Sequence, residues 1–354
     1  MKKACVIGHF GFGQKLLNGQ TVKAHIVADA LAKHYGAEAI ERIDSHCTRG
    51  ALWNLLRMPF LTLRAVRKSE NVVILPAENG LRVIAPLLSF WNAFFRRGLH
   101  YAVIGGWLAP FLETRKGLSR VLSRFRGIYV ETSTMQKALN GMGLSNVFLM
   151  PNCKDLPILT SEEVELPLVE PYRLCTFSRV MREKGIEDAV TAVSRANEAL
   201  GRTAFTLEIY GQVDAAQTEW FDALQKTFPE FVRYGGLVPY TESVATLKGS
   251  AALLFPTHFY TEGIPGTVID AYAAGVPVIS ARWESFSDII REGVTGIGFP
   301  MQDTDALTKL LVELSSSPER ISSLREGCLR AAREYTPECA ILALTERMDA
   351  AKQG

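Results

Sequence analysis

Short apolar runs separated by longer stretches of helical periodicity set the rhythm of this chain. Runs at residues 4–9, 39–43, 72–75, 101–104, 127–130 and 147–150 read as strands in the first part, and runs at 206–210, 232–234, 251–255 and 277–280 continue the pattern in the second. Strands rich in Val, Ile and Leu, each followed by an amphipathic segment, predict parallel sheets covered by helices on both faces. The expected fold class is therefore α/β, with doubly wound sheets. The proline-rich, acidic stretch 157–171 interrupts the rhythm and predicts a linker. It places one domain at 1–160 and a second at 161–335, with a terminal amphipathic segment at 336–354. Helices are expected at 21–34, with Thr21 as its N-cap, and over 83–95, an apolar run too short to span a bilayer.

Composition changes the picture in one respect. The 354 residues, 47% hydrophobic, suffice for two cores, and the net charge is only +2. The halves nevertheless disagree: residues 1–160 carry 21 Lys and Arg against 9 Asp and Glu, whereas the remainder carries 18 against 28. The segment WNLLRMPFLTLRAVRK holds four cations and no acid, Lys116, Arg120 and Arg124 recur every four residues, and Phe94 and Phe95 adjoin Arg96 and Arg97. These suggest contact with an anionic membrane surface; a solvated face over a core helix is the competing reading. Nucleic acid is not expected, because the acidic half would oppose it and no recognition motif is present. The six cysteines are scattered without metal-like spacing, and the opening MKKACVIGHFG lacks a signal peptide's apolar region. A reduced, cytoplasmic chain is expected.

Candidate chemistry collects at the strand ends. In EGIPGTVIDAYAAGVPVI, Glu262 precedes a helix start and Asp270 lies inside that helix. Gly263 and Gly266 let backbone N–H groups approach an anion at a helix N-terminus; an exposed turn is the plainer alternative. Arg179 and Lys184, followed by Gly185, offer two cations for a diphosphate. In the first part, glycines 8, 11, 13 and 19 surround FGFGQKLLNGQ, but Leu16 occupies the position that a dinucleotide fingerprint would require to be glycine. His100 and Glu131, at expected strand ends, are candidates to face a ligand; Glu131 reads either as a base or as a carboxylate at a helix start. Asp303-Thr304-Asp305 reads as a helix cap, and no metal is expected.

The segment around Glu262 resembles the E-x7-E signature of the retaining family-4 glycosyltransferases, with Asp270 in the place of the second glutamate. Arg179 and Lys184 match that family's R-x4-K, with Ser178 where a glycine is usual. NGQTVK resembles the family's polysaccharide-assembly branch. The resemblance implies a GT-B fold of two Rossmann-like domains facing a cleft, the second binding a nucleotide-diphosphate sugar, a UDP-sugar by preference. It assigns catalysis to Glu262, Arg179 and Lys184, and donor binding to Asp270 at the ribose and to Gly263, Gly266, Thr267, Gly211 and Val238. Gly11, Gly13, His100 and Glu131 would face a saccharide or lipid-linked acceptor. The implied reaction is front-face transfer, without a cofactor or metal, in bacterial capsule, O-antigen or exopolysaccharide assembly. The alternatives are a sugar-nucleotide epimerase or hydrolase, a non-catalytic binder, and an NAD-dependent oxidoreductase with Glu41 or Asp44 on the ribose.

Overall fold

Twelve strands form in the computed structural model, which describes residues 1–12, 19–46, 50–165 and 167–350. The chain divides into two compact units, Met1–Asp155 with Thr336–Gly354, and Leu156–Tyr335. In the first, β1 (Lys2–Gly8), β2 (Ile40–Asp44), β3 (Ser69–Ile74), β4 (Gly98–Ala102), β5 (Gly127–Val130) and β6 (Val147–Leu149) lie parallel in the order β2-β1-β3-β4-β5-β6. Alternate side chains build two cores. Cys5, Ile7, Val72 and Ile74 meet the helices Ala51–Lys68 and Glu78–Phe95 on one face. Ala4, Val6, Val73 and Leu75 meet the helix Gly19–Tyr35 and the terminal Leu344 and Met348 on the other.

The second unit repeats this with β7 (Tyr172–Phe177), β8 (Phe205–Tyr210), β9 (Val232–Gly236), β10 (Ala252–Phe255), β11 (Val278–Ala281) and β12 (Gly296–Phe299), again parallel, in the order β12-β11-β10-β7-β8-β9. Leu174, Leu207 and Leu254 face the helices Ile186–Leu200 and Thr304–Ser316, while Cys175, Leu253 and Phe255 face Val268, Ile269 and Tyr272 of the helix Gly266–Ala273.

In each sheet the winding reverses once, between β1 and β3 in the first and between β7 and β10 in the second. Loops leaving the carboxyl ends of strands on either side of such a reversal diverge, and the crevice they leave is where open α/β sheets bind ligands. Two Rossmann-like units of this kind are the GT-B fold.

Several sequence expectations shift by a few residues. The stretch expected as a linker belongs to the second unit: Leu156, Ile158 and Leu159 pack on its core, Leu159 N–H donates to Ala273 O at 2.9 Å, and Thr160 with Glu163 forms a capping box. Thr21 lies inside its helix, which begins by Gly19; it is buried, and its hydroxyl pairs with His9 Nδ1 at 2.8 Å rather than capping. The run at 83–95 sits in the helix Glu78–Phe95, amphipathic rather than wholly buried: Leu81, Ile84, Ala85 and Leu88 face the core while Phe90 and Phe94 are exposed. Among the described residues no helix is long and apolar enough to cross a membrane.

Candidate functional site

The second unit brings its predicted residues to one edge. Arg179 and Lys184 follow β7, Gly211 follows β8, Val238 follows β9, and Glu262, Gly263, Gly266 and Thr267 follow β10. Because β7 and β10 flank the reversal, the two cations and the glutamate stand on either side of it. Two glycines make the approach possible. Gly185 holds φ +70°, and a Cβ there would stand 1.9 Å from Pro256 O; Gly211 holds φ +136°, and its Cβ would stand 1.8 Å from Ser178 O. Only a residue without a side chain lets these loops touch.

Lys184 Nζ meets Glu262 Oε2 at 2.6 Å, with side chains 16% and 18% exposed, beneath Phe259, whose ring centre lies 4.9 Å from the ammonium. Thr257 Oγ1 donates to the same carboxylate oxygen at 3.3 Å. Arg179 is more open, reaching Asp214 Oδ2 at 3.5 Å. The helix Gly266–Ala273 starts after Pro265 with no side-chain cap, and the Thr267 hydroxyl in its first turn is buried without a hydrogen-bond partner. A buried unpartnered hydroxyl at an uncapped helix N-terminus, with two cations on neighbouring loops, suits an anion with several oxygens.

Asp270 lies within the helix Gly266–Ala273, as its spacing predicts. It is 1% exposed, and the Ser243 hydroxyl donates to its Oδ1 at 2.9 Å. That bond ties the helix to the segment Ser243–Leu247. Asp303 caps the helix Thr304–Ser316, accepting from Ala306 N–H at 2.8 Å. Among the described residues no cluster of His, Cys, Asp and Glu has the geometry of a metal site.

In the first unit the candidates separate. His100 stands in mid-strand, fully buried, bonded to Tyr129 Oη at 2.8 Å and Asn71 Oδ1 at 3.2 Å. β4 starts earlier than its apolar run suggests, so this ring serves the sheet interior and not a ligand-facing strand end. Burial, with Arg126 and Arg347 nearby, drives its pKa down to about 3. Glu131 is also buried, ion-paired with Lys23, which donates to Val103 O at 3.1 Å. The helix cap beside it is Thr132, accepting from Met135 N–H at 3.2 Å. Gly11 takes φ +60° in the loop after β1; Gly13 lies outside the described residues. The carboxylates that an oxidoreductase would need are engaged: Asp44 accepts from the N–H groups of Phe10 and Phe12, both at 3.0 Å, and Glu41 pairs with Arg64 at 2.6 Å.

Sequence reasoning missed a cavity of about 650 Å³ at the first sheet's reversal, lined by His9 after β1, Ser45 after β2, Glu78 and Asn79 after β3, and Trp107 after β4. Its residues come from separate segments with no shared motif, so only the strand order could have assembled them.

Two α/β units of this winding, the second with cations and a glutamate grouped at its reversal, define a GT-B fold. Residues 171–317 match the family model described as "Glycosyl transferases group 1". It is 26% identical over 170 residues to a glycogen synthase of Mycobacterium tuberculosis, covering 48% of this chain and 39% of that one. It is 28% identical over 153 residues to the amylovoran biosynthesis glycosyltransferase AmsK of Erwinia amylovora, covering 42% and 37%. The matches thus span about two fifths of these relatives' lengths. The Anabaena protein HepE, solved in complex with UDP and glucose, superposes with a TM-score of 0.72 at 12% identity, covering 99% of this chain and 100% of that one. At that identity the likeness concerns the fold.

Proposed function

We propose that this protein is a retaining glycosyltransferase that moves a sugar from a nucleotide-diphosphate sugar, a UDP-sugar by preference, to a saccharide acceptor. The observation that carries this reading is the grouping of Arg179, Lys184, Glu262 and the uncapped Gly266–Thr267 helix start at the second unit's reversal. Polysaccharide assembly is the setting in which the AmsK relative is named, and a UDP complex is known for HepE.

Arg179, Lys184 and the Thr267 hydroxyl would receive the diphosphate, whose departing charge they neutralise. The bond from the sugar's anomeric carbon to the phosphate oxygen breaks while a bond to the acceptor oxygen forms on the same face. The acceptor's proton passes to the departing phosphate oxygen. Glu262 would hold the sugar hydroxyls, releasing Lys184 toward the phosphate as the donor enters. Asp270 acts as a positioning residue through Ser243. No metal is required in this scheme, since the cations supply the charge.

The acceptor is proposed to be lipid-linked. On Ala51–Lys68 the exposed Trp53, Leu56 and Phe60 share a face with Arg64 and Arg67, and the neighbouring helix exposes Phe90 and Phe94. Four cations and no acid on that helix suit an anionic membrane surface. The decisive test is thermal stabilisation by UDP-, GDP-, TDP- and ADP-sugars in wild type and Arg179→Ala, followed by turnover with and without acceptor. Stabilisation by one nucleotide class, lost in the variant, is expected. No stabilisation, or sugar release that ignores acceptor, would sink the transfer reading. Failure to float with phosphatidylglycerol vesicles would remove the membrane element alone.

A further inference from the structure

Three successive residues between β10 and Glu262 converge on Lys184 and the turn that carries it. Thr257 is fully buried; its hydroxyl donates to Glu262 Oε2 at 3.3 Å and accepts from Phe259 N–H at 3.2 Å, which fixes the path of the loop. His258 N–H donates to Glu183 O at 2.8 Å, in the peptide just before Lys184. The His258 ring meets Asp188 Oδ2 at 2.5 Å in the first turn of the helix Ile186–Leu200, and the Thr304 hydroxyl donates to the other oxygen of that carboxylate at 3.0 Å. A carboxylate only accepts, so the ring nitrogen facing it carries the proton and donates. His258 thus holds the turn Arg182–Lys184 on one side of Lys184 and the helix after it on the other. Gln217, from the segment after β8, bridges the same turn: its Oε1 accepts from Arg182 N–H at 2.8 Å and its Nε2 donates to Glu183 Oε2 at 2.9 Å.

These bonds place the Lys184 backbone, and two rings place its ammonium. Nζ lies 4.9 Å from the ring centre of Phe259 and 5.5 Å from that of Phe255. Phe255 is buried in the core, whereas Phe259 is 38% exposed, so apolar burial alone does not account for it. The carboxylate and the ring hold the cation in different ways. Glu262 neutralises it, and a phosphate must displace the carboxylate before it can use the charge. A ring face attracts a cation through its quadrupole and leaves the charge in place. In the proposed reaction Glu262 turns to the sugar hydroxyls as the donor enters, which would free the flexible four-carbon stem of Lys184 to swing toward water. The ring is the anchor that persists.

Resting on the glycosyltransferase reading, we infer that His258 and Phe259 are positioning residues for Lys184: His258 sets the turn that carries it, and Phe259 keeps its ammonium on the diphosphate once Glu262 has let go. Calorimetric titration of the full-length protein with inorganic pyrophosphate, which has neither base nor sugar, tests this. Thermal stabilisation by UDP-, GDP-, TDP- and ADP-sugars is recorded on the same samples. Holding a long side chain in place before binding is worth about twofold to tenfold in affinity. Phe259→Leu, which keeps an apolar cover without the ring, and His258→Leu should each weaken pyrophosphate binding by that factor. Phe259→Tyr and His258→Gln, which keep the ring face and a donor for Asp188, should restore it. In a Lys184→Met background neither Leu variant should weaken binding further, a result that damage to the fold alone would not give. Equal losses with and without Lys184, or unchanged affinity in both Leu variants, overturn the inference and leave the donor reading standing. A wild type that binds no pyrophosphate overturns the inference as well; if no nucleotide sugar stabilises it either, the donor reading falls with it.

Discussion

The Lys184–Glu262 pair can be read as a structural tie or as an unliganded stage of catalysis, and a double-mutant cycle separates the two. With the side chains 16% and 18% exposed, neither partner can fall back fully on water. Lys184→Met keeps the stem under Phe259 but leaves the Glu262 carboxylate with the Thr257 hydroxyl at 3.3 Å as its side-chain partner among the described residues. Leaving a largely buried charge unpaired costs about 1–3 kcal/mol. Glu262→Gln keeps shape and an acceptor oxygen but strands the ammonium, at a similar cost. The double variant removes both charges, so the coupling between the sites should be about 1–3 kcal/mol. In a unit of this size each kcal/mol lowers the midpoint by about 2–4 °C. Turnover should behave differently. If Lys184 stabilises the departing diphosphate and Glu262 holds the sugar, each single variant loses about 10²–10³ in turnover, and the double variant recovers stability without recovering turnover. The assay pairs urea denaturation with nucleotide release. Turnover that recovers along with stability, or that survives Lys184→Met, would reduce the pair to a tie and refute the catalytic assignment.

Two further outcomes follow from single buried groups. Thr267→Val removes a buried hydroxyl that has no partner, so the unliganded protein should gain up to about 1 kcal/mol in urea denaturation while the Michaelis constant for donor rises about tenfold; a loss of stability with unchanged donor affinity would contradict the anion-site assignment. His100, held neutral by burial with a pKa near 3, is lower in the folded chain than in the unfolded one. The unfolded chain therefore takes up the proton first as pH falls. Stability from this group is complete above about pH 6.5 and should decline at up to about 1.4 kcal/mol per pH unit below it. Urea midpoints from pH 7.5 to 5 should show this slope in wild type and a flatter one in His100→Gln; identical slopes would dismiss His100 as its source.

The grouping proposed as the donor side was legible in the sequence because its signals are local. Arg179, Lys184 and Gly185 fall within one loop, and Glu262 through Thr267 within another. Glycine is needed at 185 and 211 because a Cβ at either would stand under 2 Å from a backbone oxygen of the neighbouring loop. What the sequence leaves out lies where the third dimension decides. Spacing puts Asp270 two turns beyond Glu262 but does not say that Ser243, from a different segment, covers it. His100 looked like the edge of a strand because the apolar run begins after it. Yet β4 starts at Gly98, and Asn71 and Tyr129 on neighbouring strands supply the polar partners that make a buried imidazole tolerable.

Strand order is the deeper case. An alternating strand–helix pattern is the same whether a sheet winds as β2-β1-β3-β4-β5-β6 or as β12-β11-β10-β7-β8-β9, since short parallel strands carry the same apolar signature whichever neighbour they pair with. The reversal, and with it the crevice, depends on which edge each crossover returns to, a choice made by packing between elements far apart in sequence. That choice joins β1 to β3 and so gathers His9, Glu78 and Trp107 around one cavity, as it joins β7 to β10 and gathers Lys184 and Glu262. The proposed donor grouping could be read because both of its halves carry charged residues in compact loops. The cavity residues, one or two per loop and mostly uncharged, come together only once the strand order is known.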